Sequence, residues 1–96
     1  MRIIAKSTLV EFWGKHPQFR VHLQSWYIVA KAAVWTTPAD ILADFPKASI
    51  IGKNRAVFRK GNDYRLVVEI NFAYGVVYIR FVGTHDAYDA IDPATV

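Results

Sequence analysis

The chain has 96 residues, 53% hydrophobic and 21% charged, with a formal net charge of +4. That composition describes one globular domain over residues 1–96, not a disordered chain. The absence of cysteine excludes a disulfide scaffold, a cysteine-ligated metal site and a thiol nucleophile. No apolar run approaches the roughly 18 residues of a membrane span, and the short N-terminal apolar stretch is no signal peptide, so the expected compartment is the cytoplasm with no membrane partner.

Arg2 to Ala5 reads as a short strand. Ser7 or Thr8 then caps a helix, with Glu11 as capping-box partner and Leu9, Phe12 and Trp13 as its apolar stripe. Pro17 suits the first turn of a second helix that runs to about Ala33. Phe19, Leu23, Trp26, Ala30 and Val34 recur along it at helical intervals. Thr37-Pro38-Ala39-Asp40 starts a short third helix that ends near Phe45-Pro46.

From Ala56 the period changes to two. Ala56–Arg59, Tyr64–Asn71 and Val76–Gly83 read as strands joined by tight turns at Lys60–Asp63 and Phe72–Gly75. Helices first and strands after predict an α+β fold, with helices on one face of an antiparallel sheet. Alternation puts Ala56, Phe58, Tyr64, Leu66, Val68, Ile70, Val77, Ile79 and Phe81 under the helices. The opposite face then presents Arg55, Arg59, Arg65, Glu69, Tyr78 and Arg80 to water.

Charge is uneven along the chain. Residues 53–80 hold six bases against Asp63 and Glu69, whereas residues 81–96 hold Asp86, Asp89 and Asp92 and no base. Four arginines facing one another across strands repel unless they hold an anion, and the planar guanidinium fork suits phosphate. The expected ligand is therefore a polyanion; a solvated charged face is the alternative reading. Glu69 among the arginines is either their salt-bridge partner or a base. His85 stands where the chain leaves the sheet, and an imidazole serves as acid or base near neutral pH. Tyr88 follows about one helical turn later. Thr84 or Asp86 as a plain helix cap, and Tyr88 as a plain core cover, are the alternatives. His16 and His22 lack metal-ligand spacing and read as structural. Trp13, Trp26 and Trp35 read first as core or partner-surface residues; Trp35 with Val34 would make a docking patch if exposed. No glycine-rich nucleotide motif is present, and no cofactor is expected.

Several segments together resemble the HigB-type toxins of bacterial toxin–antitoxin operons. They are Arg55-Ala-Val-Phe58, Gly61-Asn62-Asp-Tyr64-Arg65-Leu66 and Tyr78-Ile79-Arg80-Phe81-Val-Gly83-Thr84-His85-Asp-Ala-Tyr88-Asp89. The opening Arg-Ile-Ile, Phe12-Trp13, Trp26 and Trp35 followed by Pro38-Ala39-Asp40 extend the likeness over essentially the whole chain. The resemblance implies a RelE-like fold with a short N-terminal strand, two to three helices and a short C-terminal helix. It implies a metal-independent endoribonuclease that cuts mRNA on translating ribosomes. Its expected partners are mRNA, the ribosome through its rRNA, and a HigA-like helix-turn-helix antitoxin, with operator DNA reached only through the antitoxin complex. The chemistry expected is attack of a ribose 2′-hydroxyl on the adjacent phosphate. Arg65 and Arg80 would clamp that phosphate, His85 would act as general acid or base, and Tyr88 would be its proton partner or a stacking platform. Lys53 and Arg55 would hold the RNA backbone, Arg59 and Lys60 would meet rRNA, and Glu69 is the alternative base. A non-catalytic RNA- or ribosome-binding module on the same basic face is the competing reading, and a protein-interaction domain built on the Trp35 patch is a third.

Overall fold

A computed structural model describes residues 1–60 and 64–96, and of Lys60 the backbone alone. The expected Lys60–Asp63 turn, and the Lys60 side chain assigned to rRNA, lie outside the described residues. The chain begins with β1 (Arg2–Ile4), α1 (Lys6–Lys15), a 3₁₀ turn at Pro17–Phe19, α2 (Arg20–Ala32) and α3 (Pro38–Asp44). Strands β2 (Ser49–Ile51), β3 (Arg55–Lys60), β4 (Tyr64–Asn71) and β5 (Val76–Thr84) follow, and α4 (His85–Asp89) comes last. The fold is α+β. Its sheet runs β1-β5-β4-β3-β2, antiparallel except for the parallel pair β1–β5.

One helix start differs from expectation and another agrees with it. The N-cap of α1 is Ala5, which offers no side-chain bond, so the Thr8–Glu11 capping box does not form. Thr8 already lies inside the helix, where its amide is bonded to the Ala5 carbonyl. At α3, Pro38 occupies the first turn and Asp40 accepts from the amides of Thr36 (2.8 Å) and Thr37 (3.1 Å). Those bonds hold the Asp40 carboxyl below its ordinary value, the Thr36 amide contributing most.

The core lies between the helices and one face of the sheet. Leu9, Leu23 and Ala30 from α1 and α2 meet Leu66, Val68, Ile70 and Val77, all buried. An aromatic cluster closes the far end: Trp26 meets Phe58 edge-on (centroids 5.3 Å), and Phe45 meets both Phe58 and Trp35. Trp35 is only 2% exposed, and its Nε1 donates to Asp44 Oδ2 at 2.9 Å. It is therefore core and makes no docking patch; Val34 beside it is 82% exposed. The cause is phase. The helix ends at Ala32, Ala33 is extended (φ −72°, ψ 154°), and that shift buries residue 35 where unbroken helical spacing would bury residue 34.

Candidate functional site

The face of the sheet away from the helices is not the open wet surface that alternation alone predicts. Val57 and Val67 lie on it and are fully buried, at 1% and 0% exposure, yet neither belongs to the main core. After β5 the chain folds back over this face. Helix α4 packs on β5 and β4, and Arg55 Nη1 donates to the carbonyls of Pro93 (3.1 Å) and Val96 (2.7 Å). The roof also buries Arg65, which retains 7% exposure.

A β-bulge makes this possible. Val68 pairs with Ile79 and Val67 with Phe81, so Arg80 has no opposite number on β4. Beyond the bulge the alternation flips. Phe81 leaves the helix-covered set to which period two assigned it and faces the roof, while Val82 turns toward the core. The Phe81 ring meets Tyr88 (centroids 6.4 Å). It also lies close over Gly83, where a side-chain carbon would stand 2.5 Å from Phe81 Cζ. Only glycine leaves room for the ring beneath α4.

Two groups of candidate residues result. At the Gly83 end, Arg65 pairs across the sheet with Gly83, donates from Nη1 to the Tyr64 carbonyl (3.0 Å), and carries the Tyr88 ring 5.8 Å above its guanidinium. His85 opens the same turn of α4, with Nε2 3.6 Å from Asp89 Oδ2. Its side chain is 44% exposed, but Nδ1 is buried with no hydrogen-bond partner among the described residues. A buried ring nitrogen without a protein partner is uncommon and calls for an explanation. Thr84 accepts from the Ala87 amide and so caps α4; His85 is thereby fixed at the helix start.

At the other end, Glu69 receives Arg80 at 2.6 Å and lies 3.6 Å from Arg55. The Arg80 hydrogen bond holds the Glu69 carboxyl below its ordinary value, with the charges of Arg80 and Arg55 adding and burial opposing. Glu69 is thus an ionised, paired carboxylate. The Arg80 guanidinium also covers the Tyr78 ring at 5.2 Å. Beside this group opens a groove of about 610 Å³ lined by Lys53, Asn54, Glu69, Asn71, Phe72 and Tyr78. Arg59, on the outer part of β3, donates to Ser49 Oγ.

The structure thus brings Arg65, His85 and Tyr88 together, and separately Arg55, Glu69 and Arg80. Arg65 and Glu69 are four residues apart on β4, roughly 13 Å at strand rise. Arg65 and Arg80 do not converge on one point in this state. Sequence reasoning missed the Asp89 partner of His85, readable as an i, i+4 pair, and the carbonyl clasp on Arg55, which no sequence signal announces.

A helix-backed α+β sheet, antiparallel apart from β1, fits the fold of a RelE-like toxin. A family model described as HigB_toxin, the RelE-like toxic component of a toxin–antitoxin system, matches residues 19–91. The chain therefore belongs to the HigB toxin family, and as a toxic component it has an antitoxin partner. Among curated proteins it is 28% identical to the mRNA interferase HigB of Escherichia coli O6:H1 (strain CFT073), over 95% of this chain and 91% of that protein. Among the described residues no helix is long and apolar enough to cross a membrane.

Proposed function

We propose that this toxin is an endoribonuclease that cleaves mRNA on translating ribosomes and is neutralised by a HigA-like helix-turn-helix antitoxin, operator DNA being reached only through that complex. The name of the E. coli relative supports the activity. The observation that carries the reading is the His85 turn: an imidazole at the rim of the reverse face, an aspartate 3.6 Å away, and Tyr88 seated over a buried arginine.

In-line attack of the ribose 2′-hydroxyl on the adjacent phosphorus breaks the bond to the 5′-oxygen, leaving a cyclic phosphate and a free 5′-hydroxyl. The route needs no metal if side chains move the protons and cations hold the charge on the phosphoryl oxygens. His85 supplies or removes the proton, with Asp89 beside its Nε2. Tyr88 is its proton partner or stacks on a base. Arg65 contributes fixed positive charge beneath them, and Arg80, paired with Glu69 and 41% exposed, meets the RNA backbone further along the same face. Lys53 and Arg59 hold the RNA backbone or rRNA, with Lys60 assigned to the same role from sequence, while Arg55 is taken up by the C-terminal clasp and Glu69. Glu69, held ionised by Arg80, fits the ion-pair role better than that of base.

The test is cleavage of a defined mRNA by purified protein, with and without translating ribosomes, in EDTA, with product ends identified. Cleavage that needs ribosomes, survives EDTA and leaves 5′-hydroxyl ends is the expected result. A folded protein that binds ribosomes or RNA but never cuts would instead be a binding module on the same face.

A further inference from the structure

We propose that the groove between the β2–β3 and β4–β5 turns holds one unpaired nucleobase of the RNA, with Tyr78 as its stacking ring and Asn54 as a reader of its edge. This deepens the nuclease reading and rests on it. The groove, about 610 Å³, falls in the range of small-ligand sites and has room for a base with its sugar. Its lining joins a planar phenol, an amide, a carboxylate and a cation, which is the donor and acceptor set that reads base edges beside a backbone.

The site is built before RNA arrives. Arg80 lies over the Tyr78 ring at 5.2 Å and is bonded to Glu69 at 2.6 Å, so ring and carboxylate share one brace. Preorganised groups lose less entropy on binding. The Asn71 side-chain oxygen is engaged by the Tyr74 amide at 3.0 Å and shapes the turn, which leaves exposed Asn54 as the amide in reach. On that turn Tyr74 is 82% exposed, a second aromatic surface. Rings interleaved with cations are how proteins hold single strands. Tyr78 stands six residues before Thr84 on β5, about 20 Å from the start of α4 by strand rise, so the base in the groove lies several nucleotides from the cut.

The experiment is cleavage, on translating ribosomes, of an mRNA pool randomised around the cut site, with product ends sequenced. Wild type, Tyr78→Phe, Tyr78→Ala and Asn54→Asp are compared, each checked for folding by circular dichroism. Wild type is expected to favour one base at a fixed position several nucleotides from the cut. Tyr78→Phe keeps that preference within about twofold, since the ring remains. Tyr78→Ala lowers cutting of favoured sequences about tenfold and flattens the preference. Asn54→Asp, an exposed change that spares the core, shifts which base is favoured without moving the cut. A wild type that cuts with no base preference, or folded Tyr78→Ala and Asn54→Asp proteins that keep the wild-type preference everywhere, overturns the groove and leaves the nuclease reading standing. A wild type that does not cut overturns both.

Discussion

Val67 and Val68 are neighbours on β4, identical in side chain and equally inaccessible, yet they belong to opposite halves of the molecule. Val68 lies under two helices within a core of large apolar and aromatic side chains. Val67 lies under a five-residue helix that has no fully buried residue, a clasped C-terminal stretch and the Phe81 ring. One face of the sheet is organised for stability. The other buries just enough apolar surface to hold an arginine and an imidazole in place. What the pair teaches is that burial alone does not mark core; what does the burying separates scaffold from site.

The largest expected effect divides the two faces by function. His85→Ala should lower ribosome-dependent cleavage about 10²- to 10⁴-fold, the usual contribution of a general acid or base, with the melting temperature within a few degrees of wild type. Val68→Ala should do the reverse. It should lower stability by about 2–3 kcal/mol, roughly 10 °C in melting temperature for a domain of this size, while the folded fraction cuts at the normal rate. Urea unfolding and single-turnover cleavage of both variants check this. A His85→Ala protein that cuts near the wild-type rate would remove the catalytic assignment.

Val67→Ala sharpens the contrast. The deleted atoms are the same as in Val68→Ala, but a short roof settles into a gap more easily than two helices do, and the cost of a cavity depends on that collapse. The expected loss is about 1 kcal/mol, with a fall in cleavage that Val68→Ala does not show, because the settling moves Tyr88 and His85. Gly83→Ala perturbs the same roof from below by displacing the Phe81 ring. Equal stability losses at residues 67 and 68 would mean that the roof is as rigid as the core.

Much of this was legible. The helical spacing of Leu23, Trp26 and Ala30 and the period-two set Tyr64, Leu66, Val68 and Ile70 supply the two sides of the core, and burial against a partner layer is what periodicity encodes. The bulge at Arg80 was not legible, because Phe81 and Val82 are both apolar and either can face the core. The roof was hidden because residues 85–96 carry only Tyr88, Ile91 and Val96 as large apolar groups among three aspartates, too few for a pattern. Strand β2 is three residues long, below the length at which alternation can be read. The candidate residues were chosen by type and place, and how they group depends on the bulge and the clasp, which are tertiary facts.

Amide exchange grades the same contrast without mutation. Protection in β4 should approach the global unfolding free energy, whereas the amides of α4 should exchange through local opening well below it, because that helix is short and buries no residue fully. Hydrogen exchange read residue by residue checks this, and uniform protection across β4 and α4 would make roof and core one cooperative unit.

The smallest expected effect belongs to Glu69, and its sign follows from its partners. Arg80 and Arg55 stabilise the carboxylate, so its folded value lies below the ordinary glutamate value of 4.5. The unfolded chain then takes up the proton first as pH falls. The stability this group contributes is complete above the ordinary value and disappears as pH drops through the lower folded one. Glu69→Gln should therefore be less stable than wild type at pH 7 by no more than about 1 kcal/mol, since the pair is partly solvated and salt-screened. The gap between the two proteins should close below about pH 4.5. Asp40, also held low, lies in α3, away from this cluster, and titrates in both proteins, so the difference between their urea midpoints across pH isolates Glu69. A gap that persists unchanged at pH 3 would mean that Glu69 acts on the reverse face through shape and not through charge.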